Sequence, residues 1–278
     1  MHIIGSLARL FTSRLSHKKA YWIYCRIPPS LRDFDTTINY RGIRLNIFTG
    51  EANGKVLYYF NSYEPQQLDF LTSVIKPGMT FFDVGANIGI FTLLAAKQMA
   101  RVFSFDPSPE IVELMKKNLR INTDVAPRIT IVEEAVSDSE GFTDFYPHRT
   151  GNIGVGRIFK YGHAENLPII PLKVRMNTLD FYADRFGKPD IIKMDIEGAE
   201  AFALRGGEKL FRRKDAPILM MEFHPDEILR CGSSVNELIE FLKRCGYESK
   251  SVTLLDAQNP DWYIFHKQSV DDPILVKF

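Results

Sequence analysis

From residue 79 onward the chain alternates between short solid runs of apolar residues and longer stretches in which apolar positions recur every three or four residues. Solid runs near 80–84, 101–105, 129–135, 190–195 and 217–222 have the length of strands buried on both faces. Helical periodicity fills the intervals near 88–99, 109–121, 198–211 and 234–245. Alternation of this kind predicts a parallel sheet with helices on both faces. Two further strand segments, near 247–254 and 261–266, lie too close together for a helical crossover and should pair antiparallel. The predicted fold class is α/β and Rossmann-like, a mostly parallel seven-stranded sheet with a terminal antiparallel strand. Local signals agree: Ser108 before Pro109 and Glu110 suits a helix start, Ser234-Val235-Asn236-Glu237 has capping-box spacing, and Gly246 suits a helix end.

Upstream, segments around Thr36–Tyr40 and Ile43–Phe48, joined at Arg41-Gly42, predict a hairpin, with another strand near Lys55–Phe60. Pro65 opens a helix with Leu68, Leu71 and Ile75 on one stripe, and Lys76-Pro77-Gly78 closes it. Residues 142–177 break the alternation. They hold no amphipathic helix but carry Gly151, Gly154, Gly156 and Gly162 among His148, Arg149, Arg157, Lys160 and His163. Their place ahead of the fourth central strand sets them above the carboxyl ends of the sheet, so they read as a substrate lid or, equally, as a mobile surface insertion. The expected division is a basic helix and β-hairpin cap over 1–60 and a main domain over 61–278, with the insertion at about 142–177.

Composition adds exclusions. At 45% hydrophobic, 25% charged and net +1, the chain is expected to be an ordinary globular protein with no footprint for nucleic acid. No apolar run approaches a membrane span. Cys25, Cys231 and Cys245 lack C-x-x-C spacing, which argues against a disulfide framework or structural zinc and makes the cytoplasm the expected location. Charge is uneven, however, with eight Lys and Arg against two Asp in the first 50 residues. Ile3, Ile4, Leu7, Leu10, Phe11 and Leu15 fall near helical spacing among Arg9, Arg14, Lys18 and Lys19. Such a helix either packs on its own domain or a second subunit, or makes peripheral membrane contact. Arg9 and Arg14 interrupt the apolar stretch and no clean small-residue cleavage site follows, so a secretory signal is not expected.

The first candidate chemistry lies in Phe81-Phe82-Asp83-Val84-Gly85-Ala86-Asn87-Ile88-Gly89, a strand running into a tight turn and a helix. The turn is expected to leave backbone N–H groups free at the helix start for an anionic group. The pattern D-x-G-x-x-x-G differs from the dinucleotide fingerprint G-x-G-x-x-G: Asn87 stands where the middle glycine would be, and Asp83 would repel phosphate. S-adenosylmethionine, with an ammonium, a carboxylate and no phosphate, fits better. Asp106, ending the next strand about 20 residues on, is placed to accept both ribose hydroxyls.

A second cluster follows. Lys193 and Asp195 share a strand face by the two-residue period, Glu197 lies just beyond, and the next strand brings Glu222 and His224 to the same end. The apolar neighbours of Lys193 argue that it is paired with an acid.

These features together resemble the FkbM-type methyltransferase family, S-adenosylmethionine-dependent enzymes that mostly methylate hydroxyl groups of sugars and natural products. The resemblance runs from about Tyr63 to Glu222. Its carriers are Tyr63-Glu64-Pro65, the glycine turn, Phe105-Asp106-Pro107, Ala135-Val136-Ser137-Asp138, Leu179-Asp180 and, most specifically, Ile192-Lys193-Met194-Asp195-Ile196-Glu197-Gly198-Ala199-Glu200. Asp106 departs from the Glu usual in the family before Pro. The resemblance implies a class I methyltransferase fold and a cofactor held by Glu64, Asp83, Gly85, Ala86, Asn87, Gly89, Asp106, Pro107, Ser108, Glu134, Ala135 and Asp195. Residues 1–60 and 142–177 fall outside it, so the acceptor, a small-molecule or glycan hydroxyl, is not specified.

A hydroxyl needs a base as the C–O bond forms. Asp195, Glu197, Glu222 and His224, with Lys193 as their partner, are the catalytic candidates, His224 foremost because imidazole titrates near neutral pH. Asp195, Glu197 and Glu222 could instead gather a divalent cation, although no metal is the expected state. Two rival functions stay open at this level, a non-catalytic S-adenosylmethionine-binding scaffold and a nicotinamide-dependent oxidoreductase.

Overall fold

A computed structural model describes residues 24–147, 156–158, 170–250 and 262–267. The basic segment around Ile3–Lys19 and most of the glycine-rich stretch of the insertion lie outside these residues. The solid apolar runs form the centre of the sheet.

In chain order the chain forms a hairpin of β1 (Asp35–Tyr40) and β2 (Ile43–Phe48), then α1 (Pro65–Val74), β3 (Thr80–Val84), α2 (Ile90–Lys97), β4 (Arg101–Phe105), α3 (Pro109–Arg120) and β5 (Ile129–Val132). A second group follows: β6 (Ala135–Ser137), β7 (Gly141–Tyr146), β8 (Arg157–Ile158), β9 (Leu172–Thr178) and α4 (Leu179–Phe186). The chain then returns through β10 (Ile191–Met194), α5 (Glu200–Gly206), β11 (Ile218–Glu222), α6 (Pro225–Arg230), α7 (Val235–Arg244), β12 (Tyr247–Lys250) and β13 (Trp262–Lys267).

The main sheet has the order β12-β13-β11-β10-β3-β4-β5. Neighbours from β11 to β5 are parallel, while β13 pairs antiparallel with both β11 and β12. The reversed strand therefore lies one place in from the edge. Period-two alternation sorts the strand residues cleanly. Phe81, Val102, Ile191 and Met220 join a core with the β1–β2 hairpin, α1 and α2, whereas Phe82, Phe103, Ile192, Leu219 and Met221 join α4, α5 and α7 on the other face.

Several elements differ from expectation. Residues 55–60 are not a strand: Ala52–Lys55 is a helical turn that runs into a π-helical turn over Val56–Phe60, and Asn61, at φ 49°, ends it. Its Leu57, Tyr58 and Tyr59 are consecutive buried residues, a pattern a half-exposed strand could not satisfy. The run 129–135 breaks at Glu133-Glu134, after which β6 opens a separate four-stranded sheet of order β6-β9-β7-β8. Both ends of the insertion are thus strand, with β7 and β9 antiparallel. The helix expected over 198–211 is two, Glu200–Gly206 and Glu208–Arg212, parted at Gly207; the first packs close to β6, where a Cβ on Gly206 would lie 2.0 Å from the Ser137 carbonyl oxygen. Helix α4, capped by the Thr178 hydroxyl accepting from Phe181 N–H, had no clear signal of its own. The caps at Ser108 and Ser234 form as expected, the latter a complete capping box.

The hairpin is tied to the sheet domain by side-chain amides. Asn118 of α3 and Asn122 just beyond its end accept from the β2 amides of Asn46 (2.6 Å) and Arg44 (2.9 Å), and Asn122 donates to the Arg44 carbonyl (2.7 Å). The Tyr40 phenol donates to the Tyr63 carbonyl and accepts from its N–H, both at 3.1 Å. No helix among the described residues is long and apolar enough to cross a membrane.

Candidate active site

The carboxyl ends of β3, β4, β10 and β11 open into a cleft. Parallel pairing of β3 and β10 sets Asp83 and Lys193 side by side. Both are buried. Lys193 Nζ donates to the Gly85 carbonyl (2.8 Å) and to Asp195 Oδ2 (3.3 Å) and stands 3.9 Å from Asp83 Oδ1. Asp83 accepts from the Thr92 hydroxyl (2.6 Å), which contacts Ser104 at 2.7 Å. Burial opposes the Lys193 charge, but Asp195, Asp83 and Glu64 outweigh it and hold the ammonium above its ordinary range. Asp83 and Lys193 thus form a buried pair behind the cleft rather than part of its wall.

The glycine turn serves this arrangement. Gly85, at φ +78°, lies so close to β10 that a Cβ would fall 1.8 Å from the Asp195 carbonyl oxygen. The turn amides are not free, contrary to expectation: Gly85 and Ala86 donate to the Phe105 carbonyl, Asn87 to Asp106 Oδ2, Ile88 to Asn87 Oδ1 and Gly89 to the Ala86 carbonyl. Adjacency of β3 and β4 brings the Phe105 carbonyl into the turn. Asp106 accepts from Asn87 N–H (3.1 Å) and Ser108 N–H (2.9 Å), and burial pushes its carboxyl up to about 6 against those two amides.

Of the expected cofactor contacts, Glu64, Gly85, Asn87, Asp106, Pro107, Ser108, Ala135 and Asp195 line the cleft. Ala86, Gly89 and Asp83 are not in that wall. Glu134 is also outside it, because its carboxylate accepts from the Tyr182 phenol (2.6 Å) and faces Arg175. Glu64 follows the Tyr63 corner at φ +39°, and its Oε2 is buried with no partner, with burial raising the carboxyl to about 7.

All the catalytic candidates except Lys193 also line the cleft. His224 Nε2 donates to Asp195 Oδ1 at 3.3 Å and lies 3.9 Å from both Glu197 Oε2 and Glu222 Oε2. Burial works against the His224 charge, but the Asp195 hydrogen bond and the three carboxylates together hold the imidazole up to about 10. Asp195 is held down to about 2, since Lys193 and His224 overcome its burial. Burial, and then Asp195, push Glu222 up to about 9 and raise Glu197 as well. In the free protein at neutral pH, His224 is therefore a cation paired with Asp195, not a free base. The one group among the described residues able to converge on a metal ion is Asp195, Glu197 and His224, with ligand atoms within 4.8 Å of one another, rather than the three carboxylates expected.

Other residues reach the cleft: Tyr63 and Val136 from segments that carry the resemblance and Gly156 from the insertion, and, without a readable signal, Asn53, Ile111 and the second-sheet residues Phe145 and Ile158. The second sheet thus supplies part of the cleft wall.

The description "Methyltransferase FkbM domain" matches residues 83–249, a stretch that starts later than Tyr63, ends beyond Glu222 and includes the insertion. Methyltransferase sdnD of Sordaria araneosa is 25% identical over 154 residues, 45% of this chain and 58% of that protein. The 2-O-methyltransferase NoeI of Sinorhizobium fredii is 26% identical over 152 residues, 48% and 59% of the two chains. Hexuronic acid methyltransferase AglP of Haloferax volcanii is 27% identical over 126 residues, 45% and 48%. The chain spans about half the length of the curated relatives it matches. A crystal structure of methyltransferase FkbM from Methylobacillus flagellatus covers 72% of this chain and 50% of that one, with a TM-score of 0.47 and 17% identity.

Proposed function

The chain belongs to the FkbM methyltransferase family, and on that premise we propose that it transfers the methyl group of S-adenosylmethionine to a hydroxyl of a sugar or natural-product acceptor. The observation that carries the reading is the cleft in which Asp106, an unpaired Glu64 oxygen and the Asp195–His224 pair face one space. NoeI, by its name a 2-O-methyltransferase, and AglP, a hexuronic acid methyltransferase, support a hydroxylated carbohydrate as the acceptor class.

The donor set suits the cofactor. Asp106, its oxygens oriented by two backbone amides, accepts ribose hydroxyls, and Pro107, Ile111, Ala135 and Val136 form an apolar wall for a flat base. Glu64 Oε2 lacks a donor, which an ammonium supplies. Bound there, S-adenosylmethionine supplies the electrophilic methyl group, and the protein's task is alignment and proton removal. Acid–base duty falls to the cluster around His224. Its imidazole cannot take a proton while Asp195 and Glu197 keep it charged; added positive charge in the cleft lowers its proton affinity and frees Nε2 to act.

Calorimetry with S-adenosylmethionine and with NAD, followed by transfer of labelled methyl to a panel of hydroxylated acceptors, tests the reading. Heat with the first alone and label in a hydroxyl are expected. Uptake of NAD alone would overturn it in favour of an oxidoreductase, and cofactor binding with no transfer to any acceptor would favour a scaffold. Transfer is expected to survive exhaustive chelation; its loss and restoration by a divalent cation would assign Asp195, Glu197 and His224 to metal binding instead.

A further inference from the structure

We propose that Glu200, which does not line the cleft, is a positioning residue of this site: its carboxylate fixes the Ile196–Gly198 turn and so holds Glu197 against His224. The inference rests on reading that cluster as the acceptor side of the cleft, but its test does not use methyl transfer.

Glu200 opens α5 and is completely buried. Its Oε1 accepts from the N–H groups of Ile196 (3.1 Å) and Gly198 (3.3 Å), and its Oε2 is buried with no partner. A carboxyl in such a place is costly, and burial raises it to about 7 against hydrogen bonds from its own amide and that of Ile196. An apolar residue would fill the same space without that cost, so the acid needs a reason. The turn it holds supplies one. Glu197 adopts φ +55° and Gly198 φ +102°, a backbone shape that a side-chain-bearing residue adopts only when its surroundings impose it.

Three contacts leave that turn no slack. The Asp195 carbonyl abuts Gly85 on one side, and Gly198 abuts Glu227 on the other, where a Cβ would fall 2.7 Å from the backbone of α6. Glu200 pins the amides between them. Helix α6 begins directly after His224, so the same packing fixes both partners of the Glu197–His224 contact at 3.9 Å. A shift of the turn would withdraw the Glu197 carboxylate, which with Asp195 stabilises the imidazolium.

The experiment is NMR of the His224 imidazole across pH in the full chain without cofactor, its resonances assigned with His224→Gln. Glu200→Gln preserves the acceptor and is expected to match the wild type. Glu200→Leu is expected to lower the proton affinity of His224 by about tenfold, as Glu197→Gln does, and to add less than about twofold in a Glu197→Gln background. An unshifted His224 in folded Glu200→Leu, or an undiminished shift in the Glu197→Gln background, would overturn the proposal. Should Glu200→Leu not fold, Glu200→Asp decides: one methylene short, it should speed hydrogen exchange at Ile196 and Gly198 and lower the His224 proton affinity together. Faster exchange with an unchanged His224 would sink it. A failure to bind S-adenosylmethionine would end the proposed function yet leave these readouts intact.

Discussion

Lys193 is 3% exposed yet fully charged, because the Gly85 carbonyl and two carboxylates replace the water it has lost. Lys193→Met would leave Asp83 and Asp195 as buried charges without their cation, which costs about 3–5 kcal/mol when one partner of a buried pair is removed. Urea titration should show that loss. The sequence already pointed to this pairing, since an ammonium flanked by Ile192 and Met194 has few other ways to be satisfied. It could not show that Glu134 turns to Tyr182, a partner 48 residues away. The cluster also fixes the direction of pH dependence. His224 rises from 6.5 to about 10, so its contribution to stability is complete below about 6.5 and is lost as pH climbs through the folded value. Glu222, raised from 4.5 to about 9, acts in the same direction across the overlapping window. Asp195, lowered from 3.8 to about 2, gives stability above 3.8 that disappears as pH falls through its folded value. The thermal midpoint should therefore decline from mildly acidic toward alkaline pH, and His224→Gln and Glu222→Gln should each flatten that decline in a scanning-fluorimetry series.

At the scale of elements, the turn between β3 and α2 shows where sequence reasoning stops. Its place and its two glycines were legible, but not which neighbour fills the room that Gly85, lacking a Cβ, leaves open. The room is taken by the Asp195 carbonyl, a neighbour 110 positions along the chain that only strand order reveals. Gly85→Ala meets both a positive φ and that oxygen, so a loss of about 3 kcal/mol or more is expected, together with loss of cofactor heat in calorimetry. Ser234→Ala, removing the capping-box hydroxyl of α7 far from the cleft, should cost only about 1 kcal/mol and leave ligand binding intact. The π-helical turn at 56–60 escaped for a different reason: Val-Leu-Tyr-Tyr-Phe is a short apolar aromatic run, and periodicity cannot separate a buried helical turn from a strand at that length. The α4 helix was hidden in the same way, at eight residues.

Across the whole molecule, the parallel centre was legible because each of its strands is locally apolar and α2, α3 and α5, which link them, are periodic; α4, which leads into β10, was the exception. The second sheet was not, since β6 pairs with β9 across the insertion and nothing local announces that partnership. The hairpin extends this dependence to the amino-terminal side, where Asn118 and Asn122 complete the hydrogen bonding of β2. Asn118→Leu strands the Asn46 amide and the Ile88 carbonyl that Asn118 satisfies, and should cost about 1–3 kcal/mol in denaturant unfolding. The Tyr40 phenol carries the linkage one step further, because it grips both the amide and the carbonyl of Tyr63 and so ties the corner bearing Glu64 to the hairpin. Mechanical load on the hairpin, whether from a fused partner or from tethering to a surface, would accordingly reach the Glu64 side of the cleft before the central strands felt it.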